Sequence, residues 1–111
     1  QNEIITAKEL KLILSTDRNE TILVDVRSPN ERNFGHLEGS ISIPLDTIEE
    51  PENIYKLEQI SKEKSLIIYC KSGKRSMTAL KILKRNNIHC KNLRGGLLSW
   101  KEEIDSNINV L

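Results

Sequence analysis

The chain has 111 residues, of which 37% are hydrophobic and 30% charged, with a formal net charge of +1. That length suits one core rather than two, and that mixture suits a folded domain rather than a disordered segment. No polybasic run, zinc-finger spacing or stretch near the roughly 20 apolar residues of a membrane span is present, so neither nucleic acid nor membrane is expected as a partner.

A single domain over residues 1–111, soluble and cytoplasmic, is the expectation. Gln1-Asn2-Glu3 has neither the basic flank nor the apolar run of a signal peptide. There is no initiator Met, as in a piece cut from a longer protein; an expression fragment would look the same.

Ile4-Ile5 reads as a short strand, and Thr6 with Glu9 three residues later reads as a capping box that starts a helix carrying Leu10, Ile13 and Leu14 on one face. Thr21-Ile22-Leu23-Val24-Asp25-Val26 is a continuous β-branched apolar run, too short for a globular helix, and reads as a buried strand containing an unexpected carboxylate. Ser28 caps a turn or short helix with Pro29 at its first position. Ser40 to Pro44 alternates polar and apolar and ends in proline, which predicts an edge or near-edge strand.

Helical spacing at Ile54, Leu57 and Ile60 follows a break at Pro51. Leu66-Ile67-Ile68-Tyr69-Cys70 is a second buried strand, running into Lys71-Ser72-Gly73-Lys74-Arg75-Ser76 and then a helix striped by Ala79, Leu80, Ile82 and Leu83. Asn86-Asn87 ends that helix. Ile88 to Leu93 reads as a last short strand, Gly95-Gly96 as a turn, and Leu97 to Ile104 as a closing helix whose Trp100 is expected in the core. Alternating strands and helices predict an α/β domain with a mostly parallel sheet covered on both faces, its ligand site beyond the carboxyl ends of the strands.

That rule puts chemistry at the loop after Cys70. A cysteine at a strand end, followed by a glycine-containing loop that opens a helix, faces successive unpaired N–H groups that lower a thiol's pKa and hold negative charge. Gly73 supplies the backbone freedom of a tight ring, Arg75 a permanent cation at the rim, and Lys71 and Lys74 a more screened field. The loop alone is equally well read as an ordinary polar turn. Cys90 reads as a small buried hydrophobe; the two cysteines could form one bridge, but reduced thiols are expected.

Four segments in order resolve the ambiguity: Val24-Asp25-Val26-Arg27-Ser28-Pro29-Asn30-Glu31, Gly35 to Pro44, Cys70 to Ser76, and Arg94-Gly95-Gly96-Leu97-Leu98-Ser99-Trp100. At these intervals the chain resembles the rhodanese family from about Ile4 to Ile104. The resemblance implies a five-stranded, mostly parallel sheet flanked by helices, with Cys70 as the nucleophile that accepts sulfane sulfur as a persulfide and Lys71, Ser72, Gly73, Lys74, Arg75 and Ser76 as its cradle. It places Asp25 and Arg27 beside that loop as supporting residues, either a structural ion pair that also involves Glu31 or a direct catalytic pair. His36 matches a turn-supporting histidine, and Leu37 and Glu38 depart mildly from the family's usual isoleucine and proline.

No metal or organic cofactor is implied. The implied partners are a small anionic sulfur donor such as thiosulfate or a persulfide-carrying protein, and a thiol or sulfur-carrier protein as acceptor. The tail Trp100 to Ser106 resembles rhodanese domains fused behind adenylyltransferases of molybdopterin biosynthesis, although the last residues lack the proline and aromatic end of those tails. The alternatives are a cysteine phosphatase or arsenate reductase, whose loops have five residues between Cys and Arg where this one has four, and a non-catalytic binding module, which often lacks the cysteine.

Overall fold

The computed structural model describes residues 3–111, and its elements follow from local signals in the chain. The strands are β1 (Ile4–Ile5), β2 (Thr21–Asp25), β3 (Ile41–Ser42), β4 (Ser65–Tyr69) and β5 (Lys91–Leu93). The helices are α1 (Ala7–Thr16), α2 (Pro29–Phe34), α3 (Pro51–Glu63), α4 (Lys74–Arg85) and α5 (Gly96–Glu103), with single 3-10 turns at Arg18–Glu20 and Leu45–Thr47. Both expected caps form, and each closes as a capping box. The Thr6 hydroxyl accepts the Glu9 N–H at 3.1 Å while the Glu9 carboxylate accepts the Thr6 N–H at 2.9 Å. Ser28 and Glu31 do the same at the start of α2, with Pro29 in its first turn.

The five strands form one sheet in the order β1-β5-β4-β2-β3, every pair parallel. β2 and β4 pair along their whole length, from Thr21 opposite Ser65 to Asp25 opposite Tyr69. β3 is an edge, as the alternation before Pro44 predicts. The last strand is shorter than expected: β5 begins at Lys91, and Ile88 and Cys90 are buried before it without joining the ladder.

Side chains alternate across the strands, so the sheet has two dry faces. On one, Leu66 and Ile68 of β4 and Val24 of β2 pack against Leu57 of α3 and Ala79, Leu80 and Leu83 of α4. On the other, Ile67, Tyr69 and Leu23 pack against Leu10 of α1 and Leu97 and Trp100 of α5. Cys70 continues the alternation onto the α3–α4 face. Asp25, in register with Tyr69, falls on the opposite one.

Candidate active site at the start of helix α4

Gly73 takes a left-handed φ of +97° and turns the chain from β4 into α4. The turn folds the backbone back on Cys70. The Gly73 N–H lies 3.0 Å from the Cys70 sulfur, the Ser76 N–H 3.4 Å and the Ser76 hydroxyl 3.3 Å. Ser76 is the third residue of α4, where a helix N–H has no partner within the helix, so the sulfur sits on the positive helix end. Burial on its own would push the thiol up. The Ser76 hydroxyl and the N–H groups of Ser76, Gly73 and Ser72 outweigh it, and the thiol pKa lies below its ordinary value.

The carbonyls of the same loop point the other way. Leu97 N–H donates to the Cys70 carbonyl at 3.0 Å and Leu98 N–H to the Lys71 carbonyl at 3.1 Å, so the first turn of α5 holds the back of the loop. This close approach explains Gly96: a Cβ there would stand 2.4 Å from the Cys70 carbonyl oxygen, at a φ of +59°.

Behind the sulfur stands Asn92 of β5, which is 2% exposed. Its amide nitrogen donates to the Gly73 carbonyl at 3.2 Å, and its amide oxygen accepts the Ser76 hydroxyl at 2.5 Å. Sequence reasoning passed over this residue. The signal available was an asparagine within the expected strand Ile88 to Leu93, an unfavourable choice there unless its amide is used.

Arg75 does not reach the sulfur. Its guanidinium forks onto the Glu31 carboxylate, and this pairing holds Glu31 down to about 2. Lys71 is half-buried, while Ser72 and Lys74 are exposed at the rim. A hollow of about 540 Å³ lined by Val26, Pro44, Leu45, Thr47 and Arg75 lies on one side of the loop. A shallower groove of about 520 Å³, lined by Ser72, Gly73, Lys74, Lys81 and Arg94, lies on the other. Cys70 itself is 0% exposed.

Asp25 and Arg27 form a fully buried pair with Nη2 to Oδ2 at 2.8 Å and Nε to Oδ1 at 3.0 Å. Tyr69 and Arg32 also donate to Asp25, so every buried polar atom of this cluster has a partner. Burial opposes the charge on Arg27, but Asp25 restores it, and its pKa is raised. The pair lies across the sheet from the sulfur. It reaches the loop indirectly: Arg27 Nη1 donates to the Glu31 backbone carbonyl at 3.4 Å, and the Glu31 side chain holds Arg75. The expected involvement of the Glu31 carboxylate with Asp25 and Arg27 is therefore replaced by its pairing with Arg75. His36 is exposed, its Nδ1 3.1 Å from the Arg32 carbonyl, at the turn that follows α2.

Both cysteines are free thiols. Pairing of Ile67 with Lys91 puts Cys90 level with Leu66, four residues before Cys70 or ~13 Å along the strands, too far for a bridge. Burial pushes the Cys90 thiol up to about 12. Among the described residues no helix is long and apolar enough to cross a membrane.

Residues 6–103 match the Rhodanese-like domain. The chain is 34% identical over 101 residues to a probable adenylyltransferase/sulfurtransferase, MoeZ, of Mycobacterium tuberculosis, covering 90% of this chain and 25% of that protein. It is 37% identical over 100 residues to a putative mitochondrial thiosulfate sulfurtransferase of Schizosaccharomyces pombe, covering 82% and 70%. The chain thus spans a quarter of the length of its mycobacterial relative. Among solved structures, a rhodanese-like domain protein of Staphylococcus aureus superposes with a TM-score of 0.79 at 30% identity, covering 98% of both chains.

Proposed function

The chain belongs to the rhodanese-like domain family, with sulfurtransferases among its relatives, and on that premise we propose that Cys70 carries sulfane sulfur as a persulfide. The observation that carries this reading is the set of donors converging on the Cys70 sulfur from Gly73 and Ser76, which favour a thiolate in a buried place.

The Cys70 thiolate attacks the outer sulfur of a donor such as thiosulfate. A new S–S bond forms as the donor's own S–S bond breaks, and the electron pair leaves with sulfite. The negative charge passes to the outer sulfur of the persulfide, within reach of the same N–H groups. An acceptor thiolate, or cyanide in an assay, then attacks that outer sulfur, and the Cys70 thiolate leaves. No proton has to be transferred at either displacement, so the site needs charge stabilisation rather than a general base. Lys71 and Lys74 at the rim draw an anionic donor toward the loop.

The mycobacterial relative is named an adenylyltransferase/sulfurtransferase. By that likeness the physiological acceptor is the activated C-terminus of a sulfur-carrier protein, delivered by an adenylyltransferase domain, as in molybdopterin biosynthesis. The loop has four residues between Cys70 and Arg75, which supports a sulfur site over a phosphate one. The test is thiocyanate formation from thiosulfate and cyanide, with mass spectrometry of the chain after thiosulfate alone. Gain of one sulfur atom on Cys70 is expected; turnover without it would overturn the assignment.

A further inference from the structure

The Ser76 hydroxyl has two acceptors and one proton. Its oxygen lies 3.3 Å from the Cys70 sulfur and 2.5 Å from the Asn92 amide oxygen. The orientation of that amide is settled by the other end of the group: its second polar atom meets the Gly73 carbonyl at 3.2 Å and must be the NH₂, which turns the oxygen toward Ser76. All three side chains are shut off from solvent, Cys70 and Ser76 at 0% and Asn92 at 2% exposure, so no bulk water substitutes for a lost partner.

The proton count then separates two states of the site. With Cys70 a neutral thiol, S–H donates to the Ser76 oxygen, Ser76 O–H donates to Asn92, and each group is satisfied. With Cys70 ionised, its proton lost to solvent, the Ser76 O–H turns to the sulfur and the Asn92 oxygen is left without its donor in a buried place.

We propose that Asn92 is a positioning residue that competes with Cys70 for the single proton of the Ser76 hydroxyl, and so sets how readily the thiolate forms. The backbone N–H groups pull toward the thiolate; Asn92 pulls back. Read with Cys70 as the sulfur-bearing nucleophile, on which this meaning rests, the device also follows the reaction. The Cys70 sulfur of a persulfide is a poor acceptor, so Ser76 returns its proton to Asn92. When an acceptor takes the outer sulfur, Ser76 turns back to stabilise the departing thiolate.

The charged groups beside the loop are Lys74, Arg75 and Lys81 on α4, with Arg75 paired to Glu31 of α2, Lys71 in the loop itself, and Arg94 after β5. The Asp25–Arg27 pair lies across the sheet. None is altered by Asn92→Leu or Ser76→Ala, so a shift on those two changes reports on the hydroxyl.

The experiment is the pH dependence of Cys70 alkylation by iodoacetamide, read at the Cys70 peptide by mass spectrometry, which requires no sulfur transfer. Asn92→Leu removes the rival acceptor and should lower the midpoint by about half to one pH unit, the scale of one hydrogen bond. Asn92→Asp keeps the shape, strengthens the rival and should raise the midpoint. Ser76→Ala should raise it too, and adding Asn92→Leu to Ser76→Ala should change nothing further. A shift of both Asn92 variants in the same direction, or an Asn92→Leu effect that persists without the Ser76 hydroxyl, overturns the proposal in favour of simple loop support. Should Asn92→Leu fail to fold, Asn92→Asp with and without Ser76→Ala decides: the added charge raises the midpoint in both, and a rise no larger with the hydroxyl present than without it overturns the proposal. Failure of thiosulfate to load sulfur on Cys70 would instead count against the proposed function and leave the titration result standing.

Discussion

The Arg75 guanidinium grips both oxygens of the Glu31 carboxylate, at 2.8 and 2.7 Å, across 44 residues of sequence. Glu31 simultaneously closes the capping box of α2 through Ser28. One carboxylate therefore joins the first turn of α4, which carries the sulfur site, to the first turn of α2.

This pairing has a pH signature. Glu31 is held down to about 2 from 4.5, mainly by Arg75. A depressed carboxylate contributes stability that is complete above its unfolded pKa and is lost as pH falls through the folded one. The stability difference between wild type and Glu31→Gln should thus be constant above pH 4.5 and shrink as pH falls toward about 2. With the Arg75 side chain 41% exposed, the plateau should be about 1 kcal/mol or less. Urea titrations between pH 3 and 7 would show a pH-independent difference throughout if the pairing were not responsible.

The two thiols should behave as different chemical species. Cys70, held below its ordinary pKa, should be the first thiol alkylated as pH rises, while Cys90, pushed up to about 12, stays inert until unfolding. Cys70→Ser should abolish thiosulfate-to-cyanide transfer, and Cys90→Ser should retain most of it. A dead Cys90→Ser variant that is still folded would put the chemistry at the other end of the sheet.

Gly96→Ala should damage the site from behind. Its new Cβ would meet the Cys70 and Lys71 carbonyl oxygens at 2.4 and 2.5 Å, and both belong to the backbone of the loop. Overpacking of this kind costs about 1–3 kcal/mol, with the left-handed φ adding to it. The expected result is a lower melting temperature together with a higher Cys70 alkylation midpoint. Loss of stability with an unchanged midpoint would mean that α5 gives way and the loop keeps its form.

Breaking the Asp25–Arg27 pair should cost more than breaking the Glu31–Arg75 pair. Both side chains are at 0% exposure, so Asp25→Leu leaves a guanidinium buried without its counter-charge, a loss of about 3–5 kcal/mol. Thermal denaturation measures this directly. A variant within about 1 kcal/mol of wild type would show that Arg27 escapes to solvent.

The rim lysines should act on capture rather than on chemistry. Lys74 is exposed and Lys71 half-buried, so Lys71→Ala and Lys74→Ala should raise the KM for thiosulfate more than they lower kcat, with the effect fading at high salt. An effect confined to kcat would place an ammonium group at the sulfur itself.

The amino-acid sequence by itself determined what depends on neighbours along the chain. The capping boxes of Thr6 with Glu9 and of Ser28 with Glu31 close over three residues, and the apolar runs of β2 and β4 declare themselves as buried strands. The Cys70 loop and its glycine lie within a few residues, so the converging N–H groups were legible as well. So was the alternation that gave five parallel strands. What only the tertiary structure decided are contacts set by the order of strands and by which face each side chain takes. Asn92 stands behind Ser76 because β5 lies beside β4 in this order. Asp25 and Cys70 look like members of one site along the chain, but the period of two in a strand sends them to opposite faces of the sheet. Arg75 carries the same charge whichever way it points, and its commitment to Glu31 follows from where α2 comes to rest. Such pairings close loops tens of residues long, and nothing in the local preferences of either partner encodes them.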